Sequence, residues 1–345
     1  MRSFALLTVG LAVAAGLASP GAAVAAHHAR PAGKPNPVAD PGHNTSPSAA
    51  FVDACSGMGT TVAANRACDK AALPDFDKVR KGEGLGRMTL PGDFASLSVA
   101  SQLLAISNLE RVDRGRRAVL GRSKSLDALA RQGAKQDRDP SFPDPVTGSS
   151  GGANWAGAGN SALLDDFYWM YDDGPGSFNE DCQHAGDPGC WGHRHDIINA
   201  YPARLVMGAA AAYGTKFGTS MTEEFIGGDT GDKVNVSPSW HAIAATFPIR
   251  IAISASRAKV SSGAAVTISG GLTRAVVHSA VAKQVVQLQH RVAGHWIALT
   301  RASTGAHGVV RFRLHPTTSS SYRLVALSSS GAHLAVSAAV AIAVA

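Results

Sequence analysis

From Pro248 to Ala345 the chain contains neither aspartate nor glutamate, yet it carries ten lysines and arginines there. The first 247 residues hold twenty-two basic and twenty-five acidic side chains, so the formal charge of +7 belongs entirely to the C-terminal part. Such a region attracts polyanions, and an anionic cell-wall polymer or lipid surface is the expected partner. Nucleic acid is the weaker choice, because the charges are spread over many segments and aromatic residues are only 6% of the chain.

Long apolar runs are also lacking. The first apolar stretch, Phe4 to Ala18, is Gly-interrupted and short for a membrane span. With Arg2 before it and A-V-A after it, residues 1–26 read as a secretory signal peptide cleaved near Ala25 or Ala26. No later stretch reaches eighteen apolar residues, so no transmembrane segment is expected after cleavage, and the localisation is secreted or cell-envelope associated. Cysteine is scarce, four in 345 residues, with no C-x-x-C spacing. In an exported chain an even count favours disulfides, and sequence proximity favours Cys55 with Cys68 and Cys182 with Cys190. There is no G-x-S-x-G elbow, which removes the commonest signature of a serine hydrolase.

What is present divides the chain further. Residues 27–50 are Pro-rich and aperiodic and read as a disordered linker, followed by a disulfide-stapled extension over 51–94. Residues 95–246 read as helices followed by strands. Val99, Leu103 and Ile106 form one helical stripe, and Ser125 is placed to cap a second helix with Leu126, Leu129 and Ala130 inward. Ser161 caps a third that ends before Gly174-Pro175. Leu205–Tyr213 and Thr219–Ile226 read as strands. From Phe247 onward about seven short alternating strands separated by Gly/Ser turns predict a β-sandwich of immunoglobulin-like type over 247–345. The fold class is therefore α+β.

The densest chemistry lies in D-C-Q-H-A-G-D-P-G-C-W-G-H-R-H-D-I-I-N, residues 181–199. Together with N-L-E-R-V-D-R-G (108–115), G-A-N-W-A (152–156), F-Y-W-M-Y-D-D (167–173) and T-E-E-F-I-G (222–227), it resembles the CAP superfamily. That family comprises cysteine-rich secretory, antigen 5 and pathogenesis-related proteins with their SCP-like relatives. The resemblance implies a three-layer α-β-α sandwich and a cleft whose two histidines and two acids can bind a divalent metal ion. His193 matches the family's final histidine and Asp172 the acid that follows the helix tryptophan, Trp169. Ala153 stands where the family has glutamate, and 135–145 lacks the first histidine.

With half the tetrad missing, no cofactor is assigned, and a divalent ion on Asp172 and His193 is the alternative. His195 could stand in for a lost ligand if 193–195 is extended, and diverges from His193 if the segment is helical. Asp181, His184 and Asp187 are further candidates from the loop. The leading expectation is a non-enzymatic CAP-like protein that binds a small apolar or glycan ligand in its cleft and attaches to an anionic surface through the basic sandwich. The alternatives are a metal-assisted hydrolase and a structural spacer.

Overall fold

The computed structural model describes residues 36–56, 61–142, 150–158, 161–202, 204–228 and 235–345. The signal-peptide reading over 1–26 lies outside them. The first part comprises α1 (Ala49–Ser56), α2 (Val62–Gly82), α3 (Val99–Asp113), β1 (Gly121–Ser123), α4 (Lys124–Lys135), β2 (Ser150–Gly157) and α5 (Ala162–Tyr171). It continues with α6 (Gly192–Ile198), β3 (Val206–Thr215), β4 (Gly218–Gly227), β5 (Val236–Ser239) and α7 (Trp240–Ala244). These strands form one sheet in the order β2-β4-β3-β1-β5, in which only β1 and β3 run parallel.

β4 lies between β2 and β3 and is covered on both sides, so its residues from Ser220 to Gly227 are all buried. The Thr222 hydroxyl donates to the Ala130 carbonyl of α4, 2.7 Å away, whereas Glu223 accepts from Ser107 of α3 at 2.8 Å. Successive strand residues face opposite sides, so α4 covers one face of the sheet and α3 the other. Gly208 on β3 is needed for that contact, because a Cβ there would run into the Leu126 backbone.

Local sequence explains the helix starts. The Ser161 hydroxyl accepts the Leu164 amide at 3.1 Å and caps α5, as expected. Ser125 does not cap α4: the helix begins one residue after Ser123, and Ser125 sits in its first turn with its hydroxyl 2.9 Å from that of Ser123.

The stapled segment is not a separate extension. Cys55–Cys68 joins α1 to α2, and Phe51, Cys55, Cys68 and Phe76 enter the same core as Phe167 and Tyr171. Nor is the described part of 27–50 a disordered linker. Pro37 and Ala39 carbonyls accept from the guanidinium groups of Arg114 and Arg194, and the Asn44 side chain bonds to Gly174 in both directions. Those partners lie more than seventy residues away, which is why local composition misread the segment.

From Ile249 the chain is almost all strand: β6 (Ile249–Ala255), β7 (Lys259–Val260), β8 (Val266–Arg274), β9 (Val285–Val292), β10 (His295–Ser303), β11 (Val309–Leu314), β12 (Ser320–Leu327), β13 (His333–Val336) and β14 (Val340–Val344). A sheet of order β10-β9-β12-β14-β7, with β13 also on β12, and a three-stranded sheet β11-β8-β6 enclose one core. Leu288, Leu324 and Ile342 from the first meet Ile268, Leu272 and Phe312 from the second. Residues 335–344 do not form one continuous strand. They are two, interrupted where the Ser337 hydroxyl accepts the Leu324 amide in place of a ladder carbonyl. Among the described residues the chain has seven α-helices and fourteen strands, an α+β protein.

Candidate functional site

α5 ends at Tyr171, and that single fact decides which acid reaches His193. Asp172 is the helix C-cap; its carboxylate accepts the Ser46 hydroxyl at 2.9 Å, toward the N-terminal segment. Asp173, one residue on, is buried and holds His193: its carboxylate accepts the His193 backbone amide at 3.0 Å and lies 2.6 Å from Nδ1. The expected Asp172–His193 pair is thus replaced by Asp173–His193. The Asn179 side chain donates to Asp173 at 2.7 Å and to the Gly189 carbonyl at 3.0 Å, tying the disulfide loop to the same carboxylate. The Cys182–Cys190 bond closes that loop, as the sequence indicated.

Helical backbone through 192–198 sends the two histidines apart. His195 is half-exposed and meets Asp40 at 2.6 Å, so it does not rebuild the tetrad. His184 and Asp187 close a local turn, with the His184 amide donating to the Asp187 carboxylate at 2.7 Å. Asp181 stays near the centre, where its charge helps raise the Asp139 carboxyl above the usual range, burial being the larger cause.

Around His193 lie further acids, the half-buried Asp196 and the buried Glu223. The His193 ring stacks on Trp169, centroids 6.3 Å apart. Burial disfavours the charged imidazole, but the Asp173 hydrogen bond and charge outweigh it, and the pKa is raised. Asp196 is pushed up to about 6 by burial, against a hydrogen bond from the Ala153 amide at 3.1 Å. Gly152 has to be small here, because a Cβ would collide with Asp196 and the Tyr201 hydroxyl. Behind it Glu223 accepts from Asn154 at 2.9 Å and from Ser107, and burial raises it to about 7. Glu224 faces away, toward α4, so the two glutamates never form a catalytic pair.

The motif residues that first suggested a site are structural. Glu110 bonds Arg80 at 2.9 Å and pairs with Arg114, while the Tyr171 hydroxyl lies 3.1 Å away. Burial would raise Glu110, yet the two guanidinium groups hold it below its usual range. Arg194, fully buried, donates to the Met170 carbonyl and to Glu83 at 2.7 Å. Asp173 and Asn179 were missed in the sequence. The D-D pair at 172–173 was the available signal, but choosing between its members required knowing where α5 ends.

Among the described residues no three His, Cys, Asp or Glu side chains converge as a metal site. Nor does any described hydroxyl or thiol donate to His193. The arrangement holds the disulfide loop against α6 through Asp173 and Asn179. No described helix is long and apolar enough to cross a membrane.

No family model matches the chain, and no curated protein matches it. Solved structures similar to parts of it include a superoxide reductase (neelaredoxin) from Ignicoccus hospitalis, at 15% identity over 28% of this chain and 80% of that one, with a TM-score of 0.22. The adhesin InvE from Yersinia pseudotuberculosis matches at 13% identity over 42% of this chain and 51% of that one, with a TM-score of 0.22. The CARDB domain of a Pyrococcus furiosus protein matches at 13% identity over 28% and 94%, with a TM-score of 0.21. Likeness this slight carries no functional argument.

Proposed function

We propose that this chain is a non-enzymatic, CAP-like protein of the cell envelope whose basic, immunoglobulin-like β domain attaches it to a phosphodiester-linked wall polymer. Two arrangements support the architectural half of that reading. Helices lie on both faces of the five-stranded sheet, the layering a CAP-like domain requires. Two sheets share one core beyond residue 248, as an immunoglobulin-like sandwich does.

The observation that carries the function is the placement of charge on β11. Val310 and Phe312 point into the core, so the exposed Arg311 and Arg313 share the opposite, solvent side. Across the ladder they meet Ser269 and Thr267 of β8, small hydroxyl residues that leave the guanidinium groups accessible. No acid anywhere from 248 to 345 competes for them. Arginine forks match phosphate oxygens in a bidentate way, which favours a phosphodiester polymer over a neutral glycan.

The His193 centre takes a supporting part, as the clasp that seats the disulfide loop on α6. Asp172 and His193 are turned to different partners, which favours this part over a metal-assisted reaction at the pair. The test is co-sedimentation of the full chain with purified bacterial cell walls, before and after their phosphodiester polymers are stripped. Binding that is strong at low salt, falls with ionic strength and disappears on stripping is expected. Equal binding to stripped walls contradicts the reading.

A further inference from the structure

A groove of about 930 Å³ runs where α2 and the turn after it face the β domain, well away from the His193 centre. Its size lies within the range of small-molecule sites. Leu73, Pro74, Leu85 and Val276 give it an apolar wall. Lys70 from α2, Arg250 from β6 and His278 from the β8–β9 connection also line it, and none of these three has an ion-pair partner among the described residues.

The two acids on the same wall are already engaged. Asp77 accepts the Met88 amide at 2.9 Å and meets Arg87 at 3.5 Å, while Asp113 is held by Arg80. Three basic side chains therefore line one groove beside an apolar surface, while the acids on its wall are engaged elsewhere.

The backbone that presents His278 is strained. Val276 has φ +65° and His278 φ +51°. A β-branched residue at positive φ is a genuine outlier, and such strain persists only where the surroundings enforce it. Here they do: Val276 and Val277 pack onto the helical core, and the His278 amide donates to the Arg274 carbonyl at 3.0 Å. The loop is fixed at both ends, with His278 held at the groove.

We infer that this groove binds an organic phosphate, its phosphate on Lys70, Arg250 and His278 and its carbon body against Leu73, Pro74, Leu85 and Val276. The inference stands independently of wall attachment, which uses Arg311 and Arg313 on a different surface. A phosphate ester fits because a doubly charged, multi-oxygen head can accept from all three donors at once. A ligand of this kind can be a lipid or a sugar phosphate, and the probes separate the two.

The experiment is calorimetric titration of the full chain with inorganic phosphate, glucose 1-phosphate and dihexanoyl phosphatidic acid below its micellar concentration. One of the two organic phosphates is expected to bind at least tenfold more tightly than inorganic phosphate, and the tighter one identifies a sugar or a lipid. The double variant Lys70→Ala/Arg250→Ala, with both sites exposed and folding checked by circular dichroism, is expected to weaken that binding at least tenfold. Arg311→Glu/Arg313→Glu is expected to leave it unchanged. No preference for an organic phosphate, or equal losses in both double variants, overturns the inference; the second outcome would reduce it to bulk charge.

Discussion

Asp173 organises its surroundings with two oxygens. One accepts the His193 amide at the start of α6, and the other takes both the His193 ring and the Asn179 side chain. A charge-assisted bond of this kind contributes about 1.5–3 kcal/mol. Because the folded-state pKa of His193 is raised, the charged pair contributes fully below the unfolded value of about 6.5 and is lost as pH rises through the folded value. Asp173→Asn should therefore lower stability by about 2 kcal/mol near pH 5.5 and by less near pH 9, measured by denaturant melts at both values. Asp172→Asn, which touches only the Ser46 hydroxyl at 2.9 Å, should show no such pH dependence. At this scale the sequence paired His193 with Asp172, whereas the folded chain pairs it with Asp173. Spacing from Trp169 pointed to Asp172, but the chain leaves the helix after Tyr171 and turns the next residue inward. The disulfides were legible because four cysteines in two close pairs leave few pairings; Asn179 was not, because nothing local marks an asparagine that bridges Asp173 and Gly189.

Elements marked by their own run of apolar residues were readable: α3, α5, β3, β4 and most of the later strands lie close to where the sequence put them. Elements defined by distant partners were not. The segment from Asn36 to Ser48 lies along Arg114, Arg194 and Asp172, with no regular structure of its own beyond turns. Removing it leaves two buried guanidinium groups short of carbonyl partners, each such loss costing about 1–3 kcal/mol. A chain beginning at Ser48 should thus have an unfolding free energy lower by about 2 kcal/mol or more than one beginning at Asn36, read from urea unfolding. Equal stability would show that the segment merely rests on the surface. Residues 335–344 teach the same point from the other side. Their apolar content suits a single strand, whereas the Ser337 hydroxyl substitutes for a ladder group and lets the chain step along β12.

Across the whole molecule, charge and chemistry are separated. The first part buries its ions: Arg80, Glu110, Arg114, Glu83 and Arg194 form a network behind α2, α3 and α5. The second part has ten basic residues, no acid, and arginines alternating outward on β11. That contrast was legible in composition alone; its presentation on a flat face beside Thr267 and Ser269 required the register of β8 and β11. In the proposed function this face, rather than the His193 centre, is where the protein meets its partner. The most direct measurement is wall co-sedimentation at low salt for the parent, for Arg311→Glu/Arg313→Glu and for His193→Ala. The arginine pair is expected to lose wall affinity at least about tenfold, and His193→Ala to keep parent-like affinity. Parent-like binding by the arginine pair, or loss confined to His193→Ala, would contradict the proposed function.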